Sequence, residues 1–156
     1  MTSNKEPYLI RNINTILCVI LFIKIAGYFS ITDIKIITQI FKVISRVGMT
    51  MLVFLILQQL KNYGCVNILR LKNTFNLLLY AGYLLLGFAS FTWSTDPMYS
   101  ALQWFMTFES FVFVYLFYIV VYTINIFYPH KKINLVNLFV KAIFPIIVIF
   151  IIGSFV

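Results

Sequence analysis

The sequence predicts an all-α fold, namely a polytopic transmembrane helix bundle with about five spans in one domain, residues 1–156. Hydrophobic residues occupy 62% of the 156 positions and charged residues only 10%, whereas soluble domains carry about 45–50% and about 25%. The mean hydropathy is +0.99. A soluble fold of this length could not bury so much apolar surface, so a lipid bilayer is the expected environment.

Five apolar segments along the chain are the candidate spans. They cover residues 13–31, 40–60, 75–91, 99–128 and 135–156. The fourth holds about 30 residues and would be about 45 Å long as a helix, which exceeds the ~30 Å hydrocarbon core. We therefore expect it to start as an interfacial or strongly tilted helix. Asp96 and Pro97 signal its start, because Asp suits the N-cap and Pro suits the first helical position.

The distribution of Lys and Arg among the loops predicts the orientation in the membrane. Loops 61–72 and 129–134 are basic, whereas loop 93–98 contains no Lys or Arg. Basic loops stay in the cytoplasm, which places loop 93–98 and the C-terminus outside and the N-terminus inside. The connection between the first two segments is an exception, because it carries Lys35 yet faces outward by alternation. The first segment lacks a convincing cleavage site, so we interpret it as a retained span rather than a signal peptide.

Composition and spacing also argue against several classes of function. The net charge of +8 does not predict a nucleic-acid partner, because the basic residues lie dispersed at the ends of apolar runs. Cys18 and Cys65 have neither metal nor redox spacing. The sequence contains no Walker loop, no nucleophile elbow and no His-Glu-x-x-His motif. We therefore predict no metal, no cofactor and no catalytic residue in this stretch of chain.

The most distinctive motif follows the third apolar segment. It combines Trp93, Ser94, Asp96, Pro97 and Ser100, and an amphipathic helix entering the membrane comes after it. A span, then Trp-Ser-x-Asp-Pro-x-x-Ser, then such a helix resembles the O-antigen ligase and O-antigen polymerase family. The order of short helices, basic inner loop and outward motif after the third span is also similar.

The resemblance implies a multi-pass protein of the bacterial inner membrane that works on lipid-linked glycans at the outer face. Its implied ligands are membrane lipid and an undecaprenyl-pyrophosphate-linked glycan. The similarity covers only the N-terminal portion of such a glycosyltransferase. The family's large outer loop, with the Arg and His residues thought to do the transfer, would lie further along. We therefore expect this chain alone to be inactive, and a second chain supplying further spans is a candidate partner.

Two other readings stay open. One is a small, non-enzymatic membrane subunit or scaffold protein. The other is a small transporter, for which Lys24, Glu109 and Pro145 are the only hints, since transporters need discontinuous helices or paired intramembrane charges.

Five residues are candidates for contact with the substrate: Trp93, Asp96, Lys42, Arg46 and Glu109. Steps of four, three and four put four polar side chains on one helical face: Lys35, Gln39, Lys42 and Arg46. If this face lies at the outer interface, it suits a lipid-linked pyrophosphate or an anionic lipid head group, with Lys42 and Arg46 near Trp93 and Asp96. The alternative is that these long side chains merely snorkel to the interface.

Each remaining candidate has a structural interpretation beside the functional one. Asp96 starts a helix and Trp93 suits an aromatic belt at the interface, and these roles are favoured over substrate contact. Burying a charge in lipid costs at least about 2.5 kcal/mol, so Glu109 and Lys24 should face a partner, such as each other, or a wet cavity. Lys141 is a weaker candidate of the same kind. Gly87, Ser90 and Ser94 are expected to form a close-packing face.

Overall fold

The described residues of this computed structural model, 8–29, 40–65 and 74–153, are predominantly helical and contain no β-strand. The α-helices are α1 (Tyr8–Arg11), α2 (Ile13–Ala26), α3 (Met49–Asn62), α4 (Thr74–Ala89), α5 (Pro97–Phe127) and α6 (Leu135–Gly153). A π-helical segment, Ile44–Gly48, precedes α3, and 3-10 turns span Ser90–Trp93 and Pro129–Lys131. The predicted all-α class is confirmed.

Three helical stretches are long and apolar enough to cross a membrane: Ile40–Asn62, Pro97–Phe127 and Pro129–Ile149. Two shorter apolar helices are Ile13–Ala26 and Leu78–Trp93. Each of the five predicted apolar segments therefore coincides with a helix over its described part, which supports the prediction of a membrane protein. Lys35, Gln39, the basic residues of loop 66–73 and the termini 1–7 and 154–156 lie outside the described residues.

The chain forms two compact units. The first comprises Met1–Leu52 and Ile124–Val156, and the second comprises Val53–Thr123. The boundaries fall inside α3 and α5, so each unit includes part of both helices. One membrane domain for the whole chain stays a prediction.

In the first unit, α2 packs against α6. The buried stripe of α2 contains Ile13, Leu17, Ile20, Leu21 and Lys24, and that of α6 contains Leu138, Ala142 and Ile146. Spacings of three and four residues place each set on one helical face. The other face of α6 carries exposed Val140 and Phe144, as a lipid-facing helix surface does.

In the second unit, α4 and α5 run antiparallel and contact each other through aromatic rings. Tyr80 stacks on Phe111 with 4.7 Å between ring centroids, and Phe88 meets Trp104 edge-on at 5.3 Å. A later residue of α4 thus contacts an earlier residue of α5, which is the pattern of two antiparallel helices in a hairpin. Offset and edge-to-face aromatic pairs contribute about 0.5–1.5 kcal/mol each beyond burial.

Candidate functional site

The start of α5 is fixed by its own backbone and side chains. Ser94 has an extended backbone conformation (φ −75°, ψ 138°) that ends the preceding 3-10 turn. The helix begins at Pro97, and the carboxylate of Asp96 accepts a hydrogen bond of 3.0 Å from the backbone N–H of Tyr99. Asp96 is therefore the N-cap and Pro97 the first helical residue, which confirms both predictions.

The two serines of the motif close this turn. The Ser94 and Ser100 hydroxyls lie 2.6 Å apart, and Ser94 Oγ accepts a hydrogen bond of 3.2 Å from the backbone N–H of Asp96. Trp93 is 70% exposed beside the turn. The spacing of the motif is thus explained by hydrogen bonds within the helix start itself, beside which the Trp93 side chain stays available to a membrane or ligand.

A cleft of about 260 Å³ lies beside this turn in the second unit. Its lining comes from α4, the 3-10 turn and α5: Tyr83, Leu84, Gly87, Ser90, Tyr99, Ser100, Gln103, Trp104 and Thr107. None of these side chains is charged. The volume is just below the ~300–1,000 Å³ range of small-molecule sites, so the cleft suits a single ring-sized group rather than a long ligand.

Trp104 forms a rigid wall of the cleft. Its indole N–H donates a hydrogen bond of 2.7 Å to the Leu84 carbonyl, and its ring stacks on Phe108 at 5.3 Å. A Cβ atom at Gly87 would lie 3.1 Å from Trp104 Cδ1, tighter than ordinary contact. Glycine at this position therefore lets the indole approach α4 closely.

The polar groups of the cleft offer both hydrogen-bond acceptors and donors. The Ser90 hydroxyl donates to the Gly87 carbonyl at 2.6 Å, and the Thr107 hydroxyl donates to the Gln103 carbonyl at 3.0 Å. Since each donor is used internally, the oxygen lone pairs remain for a ligand. The Gln103 side-chain amide donates to the Tyr99 hydroxyl at 3.0 Å, which leaves the amide oxygen as a further acceptor and the Tyr99 O–H as a donor. The site therefore suits a neutral ligand with hydroxyl groups, which both donate and accept hydrogen bonds.

The predicted basic residues lie in the first unit. Lys42 and Arg46 are half-buried, and Arg46 Cζ lies 4.4 Å from the centroid of the Tyr28 ring. Lys24 is 3% exposed, and its ammonium donates to the Arg46 carbonyl at 3.1 Å. Proximity of Lys42 and Arg46 to Trp93 and Asp96, which belong to the second unit, stays a prediction.

Glu109 is 8% exposed and lies on α5 in the second unit. Its pairing with Lys24 of the first unit stays a prediction, as does its role toward a substrate. Lys141 is exposed on α6. Glu109 does not line the cleft, and neither do Trp93 and Asp96.

The cleft residues themselves were not predicted, although the sequence carries a signal for them. Tyr99, Gln103 and Thr107 recur every four residues within an apolar helix, so they share one face of α5. A polar stripe on a membrane helix normally faces protein or water rather than lipid. Gly87 and Ser90, predicted to form a close-packing face, line the opposite wall.

Among the described residues, no group of three or more His, Cys, Asp or Glu side chains could hold a metal ion. Comparison of the chain with protein-family models, with curated proteins and with solved structures finds no match. Function is therefore inferred from the chemistry of the cleft, the helix start and the basic residues.

Proposed function

We propose that this chain is a multi-pass protein of the bacterial inner membrane that handles lipid-linked glycans at the outer face, as the N-terminal part of an O-antigen ligase- or polymerase-like protein. In this proposal all five apolar helices cross or enter the bilayer, and the Trp93–Met98 loop faces outward. The two shorter helices would do so with help from flanking residues, since a span of about 20 residues is typical.

The observation that carries the proposal is the uncharged cleft next to the motif. Sugar rings have apolar C–H faces that stack on aromatic side chains and hydroxyl groups that donate hydrogen bonds. The cleft combines Tyr83, Tyr99 and Trp104 with acceptor oxygens on Ser90, Gln103 and Thr107. A polyprenyl chain in the surrounding lipid would bring one sugar ring to this depth.

Transfer chemistry is not proposed for this chain by itself. Glycosyl transfer needs a base for the acceptor hydroxyl and cations for the pyrophosphate leaving group. The only histidine of the sequence, His130, lies in a loop predicted to be cytoplasmic. In this proposal the chain binds and positions the glycan, and groups outside these 156 residues perform the reaction.

Fluorescence of Trp104 can test glycan binding directly. The chain has two tryptophans, so Trp93→Phe leaves the cleft residue as the only reporter. We expect an undecaprenyl-pyrophosphate-linked glycan to change this emission more than undecaprenyl pyrophosphate without sugar. Gln103→Ala should weaken glycan binding by up to about tenfold, the effect of one hydrogen bond.

Gln59→Ala is the matched control, because Gln59 is an exposed glutamine on α3 in the same unit. It should bind the glycan as the parent protein does. Equal responses to the two lipids, or equal effects of the two glutamine substitutions, would contradict a sugar site. That result would favour the alternative function, a small non-enzymatic membrane subunit or scaffold.

A further inference from the structure

A second site is suggested by the contacts around Arg46 in the first unit. Its guanidinium lies over the Tyr28 ring at 4.4 Å, and Arg46 Nε is buried without a hydrogen-bond partner among the described residues. The side chain as a whole is only half-buried, so it remains reachable from outside. Leaving a buried donor without an acceptor is costly, more so when the group is charged. A ligand with anionic oxygens would stabilise this charge through the part of the side chain that stays accessible.

The backbone that carries Arg46 is held in place by α2. Lys24 Nζ donates to the Arg46 carbonyl at 3.1 Å and to Thr50 Oγ1 at 3.4 Å. Gly27 lies so close to Ser45 that any Cβ on the glycine would overlap the serine side chain. These contacts fall on the π-helical segment Ile44–Gly48 and its next turn. Such π segments are frequent at functional sites, because they redirect carbonyls and side chains from the regular helix pattern.

The charged side chains among the described residues of the first unit are all basic. Its described residues contain no Asp or Glu. They contain the basic residues Arg11, Lys24, Lys42, Arg46, Lys131, Lys132 and Lys141. An anionic ligand is therefore electrostatically favoured over a cationic one at this surface, and in a membrane the abundant anions are lipid phosphates.

The position of Arg46 along its helix agrees with a head-group ligand. It lies in the first third of the described helical stretch Ile40–Asn62, which is long and apolar enough to cross a membrane. A side chain of this length can reach the head-group region from there. Lys42 is four residues earlier, so helical spacing puts a second cation on the same side of the helix as Arg46.

We infer that Arg46, stacked on Tyr28 and accompanied by Lys42, binds the phosphate group of a membrane lipid. The planar guanidinium fork matches two phosphate oxygens, and the Tyr28 ring orients it at little entropic cost. Lys24 acts as a positioning residue through the Arg46 carbonyl. The inference does not depend on the proposed glycan function, since a phospholipid and a lipid-linked pyrophosphate share this phosphate chemistry.

The test measures lipid binding to the full chain in detergent by native mass spectrometry. Phosphatidylglycerol, undecaprenyl pyrophosphate and inorganic phosphate are titrated separately. We expect lipid binding to the parent protein and at least about tenfold weaker binding to Arg46→Gln, because two charge-assisted hydrogen bonds are lost. The lipid with the larger Arg46-dependent affinity identifies the source of the phosphate. Inorganic phosphate should bind more weakly, since it lacks the acyl chains.

Arg11→Gln is the matched control, because Arg11 also stacks on a tyrosine, Tyr8, at 5.5 Å but is exposed. It should bind lipid within about twofold of the parent protein, since an exposed charge contributes little. Tyr28→Phe should retain binding and Tyr28→Leu should weaken it. Arg46→Lys keeps the positive charge and the aliphatic stem. A loss of lipid affinity in this variant would therefore reflect the missing guanidinium rather than misfolding. Equal effects of the Arg46 and Arg11 substitutions with every ligand would overturn the inference.

Discussion

The contact between Gly27 and Ser45 permits a quantitative test of how α2 packs on the π-helical segment. Gly27 has a helical backbone (φ −63°, ψ −12°), so alanine is compatible with its conformation. A Cβ atom at position 27 would overlap Ser45 Oγ and lie 2.7 Å from Ser45 Cβ. Ser45 is fully buried. The new methyl group and the buried Ser45 side chain would compete for the same space. Gly27→Ala should therefore destabilise the protein by about 1–3 kcal/mol, the usual effect of overpacking.

Second substitutions at Ser45 separate the sources of this clash. Ser45→Ala removes the hydroxyl but keeps the Cβ at 2.7 Å, so Gly27→Ala/Ser45→Ala should recover only part of the stability. Gly27→Ala/Ser45→Gly removes both Oγ and Cβ of residue 45 and should recover more of the stability. A loss of about 0.5–1 kcal/mol should remain, because glycine within a helix is destabilising. Residues in contact are expected to show such non-additive changes in the free energy of unfolding when both are substituted.

Thermal unfolding in detergent measures the series, and Gly82→Ala is its control. A Cβ atom at Gly82 meets nothing within 4 Å, so that substitution should leave stability unchanged or raise it by up to about 1 kcal/mol. Full stability of Gly27→Ala, or no recovery with Ser45→Gly, would refute the contact. The placement of Lys24 and Arg46 in the phosphate site would then lose its basis.

Three further predictions concern the membrane topology, the chemistry and the helix start. Fusions to an outward-active phosphatase should be active after Met98 and inactive after Lys61 and Lys132; the reverse pattern would contradict the orientation. The purified chain, given a lipid-linked glycan and an acceptor, should yield no product, and turnover would contradict the proposed division of labour. Asp96→Ala should lower stability by about 1 kcal/mol in thermal unfolding, whereas Asp96→Asn should not, because asparagine caps equally well.

The helices could be predicted because their signals are local. Apolar runs fix where a chain can enter lipid, and the last helix begins at Leu135 as predicted. The start of α5 at Pro97 follows from one N-cap residue and one proline, whose effects act within a single turn. Each of these inferences needs only residues that are neighbours in sequence.

The sites needed information that the sequence spacing alone does not contain. The π-helical segment has no distinctive residues, and the hydrogen bond from Lys24 to the Arg46 carbonyl joins residues that are 22 positions apart in the sequence. The cleft likewise requires the register between α4 and α5, which Gly87 and Trp104 set by close contact. The sequence identified Arg46 as a candidate, but not the Tyr28 ring that orients it.

The two candidate sites differ in the chemical groups that each favours in a ligand. The cleft of the second unit is lined without a charge and presents acceptor oxygens, so it disfavours phosphate and favours hydroxyl groups. The Arg46 site presents a guanidinium fork with no described carboxylate in its unit, so it favours phosphate and gives little to a neutral sugar. The two sites should therefore be distinguishable by their ligands, with a free sugar binding at the cleft and a phospholipid at the Arg46 site.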